Sequence, residues 1–130
     1  MTRSSHRATV LVMHSDVSVG GLIGACVRLT GAQADYVPDG TEAWKRLEAE
    51  KVAAIVVEVN HRESGLEGGF SFGTALLQKM SAERPELLEK TIVVTTMPET
   101  DLSSYESEIV GVLRMPFSTD ELIELLRKLL

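Results

Sequence analysis

The run Val52–Val57 consists of six consecutive apolar residues, Val-Ala-Ala-Ile-Val-Val, with no polar residue among them. A strand with one face in water alternates apolar and polar residues, so an unbroken run indicates a strand buried on both faces, inside a parallel sheet. The chain then reaches a carboxylate, Glu58, and a glycine-rich segment. In open α/β sheets, ligands and chemistry gather beyond the carboxyl ends of the strands. Glu58 is therefore the first candidate functional residue.

Further short apolar runs are separated by segments whose apolar residues follow helical spacing. Because strands alternate with helices, the sequence predicts one doubly wound α/β domain with a five-stranded parallel sheet, (βα)5, over residues 8–130. Residues 1–7 are predicted to be disordered or poorly ordered. The connection over residues 98–108 has only Leu102 and Tyr105 at helical spacing, which predicts a short or frayed helix there. The other predicted strands are Ala8–Met13, Ala32–Val37, Thr91–Thr95 and Ile109–Leu113.

Composition removes several classes of function. The 130 residues are 44% apolar and 25% charged, which is typical of a folded domain. A net charge of −6 argues against nucleic acid as a partner, because a basic surface is needed to neutralise phosphates. No apolar run approaches the ~20 residues that span a bilayer, so membrane insertion is not expected. The single cysteine, Cys26, cannot form an internal disulfide; a buried thiol in a cytoplasmic protein is expected.

Polar side chains follow the predicted strands at the edge where function is expected. With these residues the chain resembles, over essentially its whole length, the receiver domain of bacterial two-component response regulators, which has a flavodoxin-like fold. The order and spacing of four segments carry the resemblance. They are Val10-Leu-Val-Met-His-Ser-Asp16, Val56-Val57-Glu58, Val93-Val-Thr-Thr96 and Leu113-Arg-Met-Pro-Phe117.

The departures from the family pattern concern its chemistry. The resemblance implies two acids and an acceptor aspartate that hold Mg²⁺, with a hydroxyl and a lysine that bind the phosphoryl oxygens. Here His14 and Ser15 stand in place of the acidic pair, Glu58 in place of the acceptor, and Met115 in place of the lysine. The hydroxyl is retained as Thr95 or Thr96, and Pro116 matches a proline that follows a cis peptide bond in the family.

These replacements predict a pseudo-receiver that has lost Mg²⁺ binding and uses no cofactor. Mg²⁺ needs hard oxygen ligands, and phosphoryl transfer needs cationic groups to offset charge on the equatorial oxygens. Glu58 is also one methylene longer than aspartate, which displaces the attacking oxygen by about 1 Å. Arg114 cannot replace the lysine, because successive strand residues point to opposite faces. We therefore expect signalling through protein contacts, with no enzymatic activity.

Several alternatives remain open at this stage. Glu58 is either a built-in mimic of the phosphorylated state or a carboxylate left at a site without activity. A phosphorelay receiver with His14 or Ser15 as an unusual acceptor is a second reading. A metal-dependent enzyme that uses His14, Asp16 and Glu58 is a third, although the spacing matches no metal motif. The glycines Gly20, Gly21 and Gly24 suggest a phosphate loop, close helix packing, or contact with a partner helix.

The partner is expected to be a protein of a signalling pathway, and a homodimer is a further expectation. The resemblance places the usual contact surface on the last two helices and the last strand, where Tyr105, Glu106, Glu108 and Arg114 are the candidate residues. Residues 59–71 form a loop longer than family receivers have if Gly73 matches the glycine that opens their third helix. Long loops in compact domains are usually functional or disordered.

Overall fold

A computed structural model of the chain describes residues 7–59, 73–95 and 102–130. These residues form one five-stranded sheet in the order β2-β1-β3-β4-β5, with every neighbouring pair parallel. The predicted doubly wound parallel sheet is confirmed. Its strands are β1 (Thr9–Met13), β2 (Gln33–Val37), β3 (Ala54–Glu58), β4 (Thr91–Thr95) and β5 (Gly111–Arg114).

The helices lie on both faces of the sheet. Alternation along the strands divides the buried side chains into two clusters. Leu11 and Val57 belong to the cluster on the side of α2 and α3, whereas Val12 and Val56 belong to the cluster on the side of α1 and α4. The helices are α1 (Val17–Leu29), α2 (Gly40–Ala49), α3 (Gly73–Glu83), a 3₁₀ helix (Pro85–Lys90) and α4 (Thr119–Leu129).

The unbroken apolar run does form a strand that is buried on both faces. All five residues of β3 are buried, and β3 lies between β1 and β4 at the centre of the sheet. The strand begins two residues later than the apolar run and includes Glu58 as its last residue. Consequently the candidate carboxylate is held by the sheet itself and not by the loop that follows.

Side-chain caps fix where the helices begin. Asp16 caps α1, Asp39 caps α2, and Ser118 forms a capping box with Glu121 at the start of α4. Such caps satisfy backbone N–H groups that have no partner within the helix, and each contributes about 1 kcal/mol. The turn before α2 and the start of α4 therefore follow from residues that the sequence displays.

The 3₁₀ helix before β4 was not predicted. Pro85 stands at its start, and the adjacent residues Leu87 and Leu88 are both buried. The Thr91 hydroxyl donates a 2.8 Å hydrogen bond to the Leu87 carbonyl, which joins this turn to the first residue of β4. A six-residue element is too short to show a helical period, so the sequence carried no periodic signal for it.

The segment before β5 is built from turns where the sequence predicted a short or frayed helix. Within the described part, the Leu102 carbonyl accepts hydrogen bonds from the N–H groups of Tyr105 and Glu106. The Tyr105 carbonyl accepts from Glu108 and Ile109 in the same way. Residues 98–101 of this connection lie outside the described residues, as do residues 1–6 of the predicted N-terminal segment and residues 60–71 of the predicted long loop.

No helix in the described ranges is long and apolar enough to cross a membrane.

Candidate functional site

The register of β1 against β3 brings His14 and Glu58 together. Met13 pairs with Val57, so the residues that follow them in the two strands are neighbours at the carboxyl edge of the sheet. Both lie on the α1–α4 side by alternation, and they are buried, with 1% exposure for His14 and 5% for Glu58. Two ionisable side chains are thus held next to each other in a region largely removed from water.

Ser15 holds the Glu58 carboxylate through two hydrogen bonds to the same oxygen. The Ser15 backbone N–H donates to Oε1 at 3.0 Å, and the Ser15 hydroxyl donates to Oε1 at 2.7 Å. Hydrogen bonds to a carboxylate are stronger than neutral ones, and they offset part of the cost of burying it. The serine that stands in place of a family acid therefore acts as a donor toward Glu58 and not as a ligand for a cation.

The His14 ring is oriented by its own loop. Its Nδ1 accepts a 3.0 Å hydrogen bond from the Asp16 backbone N–H, so the ring proton of the neutral imidazole is on Nε2. Nε2 lies 3.6 Å from Glu58 Oε2, which is too long for a hydrogen bond, and it is buried without a hydrogen-bond partner among the described residues. The His14 carbonyl accepts a 2.6 Å hydrogen bond from the Tyr36 hydroxyl, a contact that sequence reasoning missed.

Asp16 has a structural task at this edge. Its carboxylate oxygen accepts hydrogen bonds from the N–H groups of Ser18 at 2.8 Å and Val19 at 3.3 Å, which caps α1. The side chain is exposed. The metal-dependent enzyme hypothesis needed Asp16 as a ligand, but its carboxylate is engaged at the helix terminus. There the positive end of the helix dipole also stabilises its negative charge.

The donor set at this edge does not fit a metal ion. Within the described ranges no three His, Cys, Asp or Glu side chains converge as a metal site would require. A histidine that binds a metal through Nε2 must be unprotonated there, but the bond from Asp16 N–H to Nδ1 leaves the proton on Nε2. Ser15 offers a hydroxyl that already donates to Glu58. Only Glu58 retains the character of a hard anionic ligand.

Two threonines are candidates for the hydroxyl of the family pattern, and the structure describes one of them. Thr95 is the last residue of β4 and is buried. Alternation along β4 places it on the side of Val93, which belongs to the α2–α3 cluster, whereas Glu58 lies on the side of Val56. Thr95 and Glu58 therefore sit on opposite faces of the sheet. Thr96, the other candidate, lies outside the described residues.

At the end of β5 the cation position of the family is apolar. Met115 is half-buried and packs against the α1–α4 cluster, and its N–H donates a 2.8 Å hydrogen bond to the Thr95 carbonyl. Pro116 follows it through a cis peptide bond. The neighbouring Arg114 is exposed, on the opposite side of the strand by alternation. A thioether thus stands where the resemblance implies an ammonium group.

Gly73 lets the polypeptide pass directly against the site. A β-carbon built at Gly73 would lie 1.9 Å from the Glu58 carbonyl oxygen, so no other residue fits without movement of the backbone. Gly73 is the first residue of α3. The one signal for this contact in the sequence is the match of Gly73 to the glycine that opens the third helix of family receivers.

The candidate contact residues near β5 differ in exposure. Glu106, Glu108 and Arg114 are exposed, whereas Tyr105 is half-buried and packs against the α2–α3 cluster. Burial raises the pKa of the Tyr105 phenol, and the nearby Glu108 carboxylate raises it further. Charged side chains therefore cover this surface around one aromatic residue that is anchored in the core.

Several solved structures with the same fold are described as receiver domains or receiver proteins. The receiver domain of a Francisella response regulator (1452) superposes with a TM-score of 0.77 at 22% identity, over 95% of this chain and 96% of that one. A response regulator receiver protein from Pseudomonas putida gives 0.75 at 22% identity, over 94% and 97% of the two chains. A CheY-like receiver domain from Methanospirillum hungatei JF-1 gives 0.74 at 17% identity, over 94% and 92%.

No protein-family model and no curated protein matches the chain. At the identities found, the structural likeness establishes the fold. The chain has the flavodoxin-like fold of response-regulator receiver domains, along nearly its whole length.

Proposed function

We propose that this chain is a signalling domain of the pseudo-receiver type, which acts through protein–protein contacts and is not switched by aspartyl phosphorylation. The fold supports the signalling role, because the superposed structures are receiver domains that cover nearly the whole chain. The state of Glu58 supports the second part. Its carboxylate is buried and tied to Ser15 by two hydrogen bonds, beside a neutral His14 and without a lysine at position 115.

The charges at the site oppose transfer of a phosphoryl group to Glu58. Transfer of a phosphoryl group requires cations to offset the charge that spreads over its equatorial oxygens. In this site Ser15 and Asp16 do not supply a cation-binding pair, and Met115 supplies no positive charge. A phosphoryl group that approached Glu58 would meet a buried carboxylate without that compensation. The proposed function therefore involves neither catalysis at this site nor a bound Mg²⁺.

The proposal is tested by incubation of the chain with acetyl phosphate and Mg²⁺, followed by intact-mass measurement. The expected result is no phosphate increment after hours at neutral pH. An increment that peptide mapping assigns to Glu58 would contradict the proposal.

A matched variant shows that the assay can report phosphorylation on this scaffold. It carries His14→Asp, Ser15→Asp, Glu58→Asp and Met115→Lys, which together restore the residues that the family resemblance implies. We expect this variant to gain a phosphate increment that depends on Mg²⁺, whereas the parent chain gains none. The comparison separates loss of the site chemistry from any failure of the reagent.

The same mass measurement addresses the phosphorelay alternative. His14 is a poor acceptor in this arrangement, because it is buried and its Nδ1 already accepts a hydrogen bond. Ser15 is exposed, and its hydroxyl donates to a carboxylate that could take its proton. An increment mapped to Ser15 would therefore favour the phosphorelay reading over the proposed function.

A further inference from the structure

The outward face of α1 carries an apolar surface that nothing in the described part of the chain covers. Val17, Leu22 and Leu29 are 74%, 46% and 70% exposed. Leu22 and Leu29 are one heptad apart, and Gly21 and Ala25 lie next to them on the same side of the helix by its 3.6-residue period. An exposed helix normally presents charged residues to water, so this face has the composition of a helix contact.

Gly21 has no role in packing against the described part of the chain. A β-carbon at this position would meet no atom within 4 Å, whereas one at Gly20 would lie 2.5 Å from the Tyr36 ring. Glycine inside a helix costs about 0.5–1 kcal/mol relative to alanine. At Gly20 the contact with Tyr36 explains that cost. At Gly21 the open space permits close approach from outside the chain.

The charges at the two ends of α1 are complementary and lie too far apart to meet within one chain. Asp16 caps the amino end, and Arg28, the only charged residue within α1, is in the last turn. Both side chains are exposed, and neither forms an ion pair with a described residue. At ~1.5 Å per residue the helix separates them by about 18 Å. An antiparallel copy of the same helix brings each Arg28 opposite an Asp16.

We propose that a second copy of this chain docks on this face, with the two α1 helices antiparallel across a two-fold axis. Gly21 and Ala25 lie at the crossing, where their small side chains allow the helices to approach closely. The Leu22 side chains of the two copies meet beside the axis, and each Arg28 pairs with Asp16 of the other copy. A two-fold contact uses the same patch on both copies, so the complementary ends of α1 make this face self-complementary.

This inference goes beyond the proposed function and does not depend on it, because the crossing residues lie outside the site around Glu58 and Asp16 contributes only its backbone N–H to that site. A single helix pair belongs to the small and weak class of interfaces. We therefore expect a reversible dimer, to be measured by sedimentation equilibrium of the full chain up to about 1 mM, where weak association is detectable.

Two substitutions test the contact by different physical means. Arg28→Glu replaces each complementary pair with like charges and is expected to weaken the dimer at least tenfold in Kd. Gly21→Leu places a bulky side chain at the crossing and is expected to leave a monomer, while its open surroundings allow the fold to remain intact. Glu48→Lys, an exposed charge reversal on α2, is the matched control and should leave the Kd unchanged.

Mixing of two charge variants gives the sharpest test. Arg28→Glu and Asp16→Lys should each fail to self-associate, but an equimolar mixture should form a heterodimer in which both charge pairs are restored. Because lysine does not cap a helix, Asp16→Asn is measured on its own as a control, since asparagine keeps the cap and removes the charge. Asp16→Asn should weaken the homodimer without a change in helix content.

Three results would overturn the inference. They are a wild-type chain that stays monomeric across the whole concentration range, a dimer that Arg28→Glu and Gly21→Leu leave unchanged, and a charge-variant mixture that forms no heterodimer while both variants are folded by circular dichroism.

Discussion

At the scale of single residues, the site differs from the family pattern through the role of each polar group. In the family pattern the first-strand acids attract a cation, but here Ser15 and His14 serve the carboxylate as neutral neighbours. A buried carboxylate without such donors is costly, because the charged form loses its hydration. The pair of hydrogen bonds from Ser15 is therefore the local reason that Glu58 can remain inside the fold.

Ser15→Ala is expected to destabilise the fold through this contact. Loss of a hydrogen bond to a charged acceptor costs about 1.5 kcal/mol at the lower end of the usual range, which suits a partly exposed donor. Urea unfolding measures the change, with Ser81→Ala, an exposed serine on α3, as the control that should have almost no effect. Equal stabilities for the two variants would show that the Ser15 hydroxyl does not support Glu58.

Cys26 provides a prediction about pH. Burial raises the pKa of the Cys26 thiol, since the thiolate is disfavoured away from water. The unfolded chain then loses this proton at a lower pH than the folded chain does. The contribution of Cys26 to stability is complete below the ordinary thiol pKa of about 8.5 and is lost as pH rises through the folded value.

The free energies of unfolding of the wild type and Cys26→Ala measure this effect at pH 7 and pH 9.5. We expect the advantage of the wild type to shrink at the higher pH, because the other titrating groups are the same in both proteins. An advantage that stays constant between the two pH values would contradict the assigned burial effect.

At the scale of elements, the contact of α3 with β3 explains how the helix fixes the site. The backbone at Gly73 lies so close to the Glu58 carbonyl that a methyl group cannot be placed between them. Any side chain at this position must push α3 away from the strand that carries the carboxylate. Glycine is therefore required here for close approach, and its place at the start of the helix limits the cost in helix propensity.

Gly73→Ala is expected to cost about 1–3 kcal/mol, the usual range for an overpacked contact. Gly21→Ala is the matched comparison, because its added methyl group meets no atom within 4 Å and should stabilise α1 by about 0.5–1 kcal/mol. Chemical denaturation in dilute solution measures both. If the two glycines respond alike, the close contact between Gly73 and Glu58 does not shape the fold.

Sequence patterns predicted the strands because burial on both faces leaves an unbroken apolar run, as at Val52–Val57, and β1, β2 and β4 begin within one residue of their predicted starts. The predicted parallel sheet also implied that the site residues are adjacent. It did not imply which hydrogen bonds form among them. That Ser15 donates to Glu58, and that Asp16 turns to cap α1, depends on side-chain directions that no spacing rule specifies.

At the scale of the whole molecule, the surface near β5 is the surface where we expect a signalling partner to bind, and it carries exposed charged side chains. The turns before β5 expose Glu106 and Glu108, and Tyr105 anchors them to the core. We expect the two exposed carboxylates, on a chain with net charge −6, to favour a partner with basic side chains. This surface belongs to the proposed function, whereas α1 belongs to the proposed dimer.

Charge reversal at Glu106 or Glu108 is expected to weaken partner binding mainly through a slower association rate, because exposed charges steer encounter. A pull-down that recovers a partner, followed by surface plasmon resonance at two salt concentrations, measures the effect. Glu48→Lys is again the control on a distant helix. Unchanged binding for both charge reversals would indicate that the partner contacts α1 or the segment that follows β3 instead.

We propose that this receiver fold does not bind the metal that aspartyl phosphorylation needs. A Mg²⁺ titration followed by amide NMR tests it directly, because the Ser15 N–H bonds to Glu58 and reports on its carboxylate. We predict no saturable shift at the Ser15, Asp16 or Glu58 amides, while the four-residue restored variant shows one. A saturable shift at these amides in the parent chain would contradict the account.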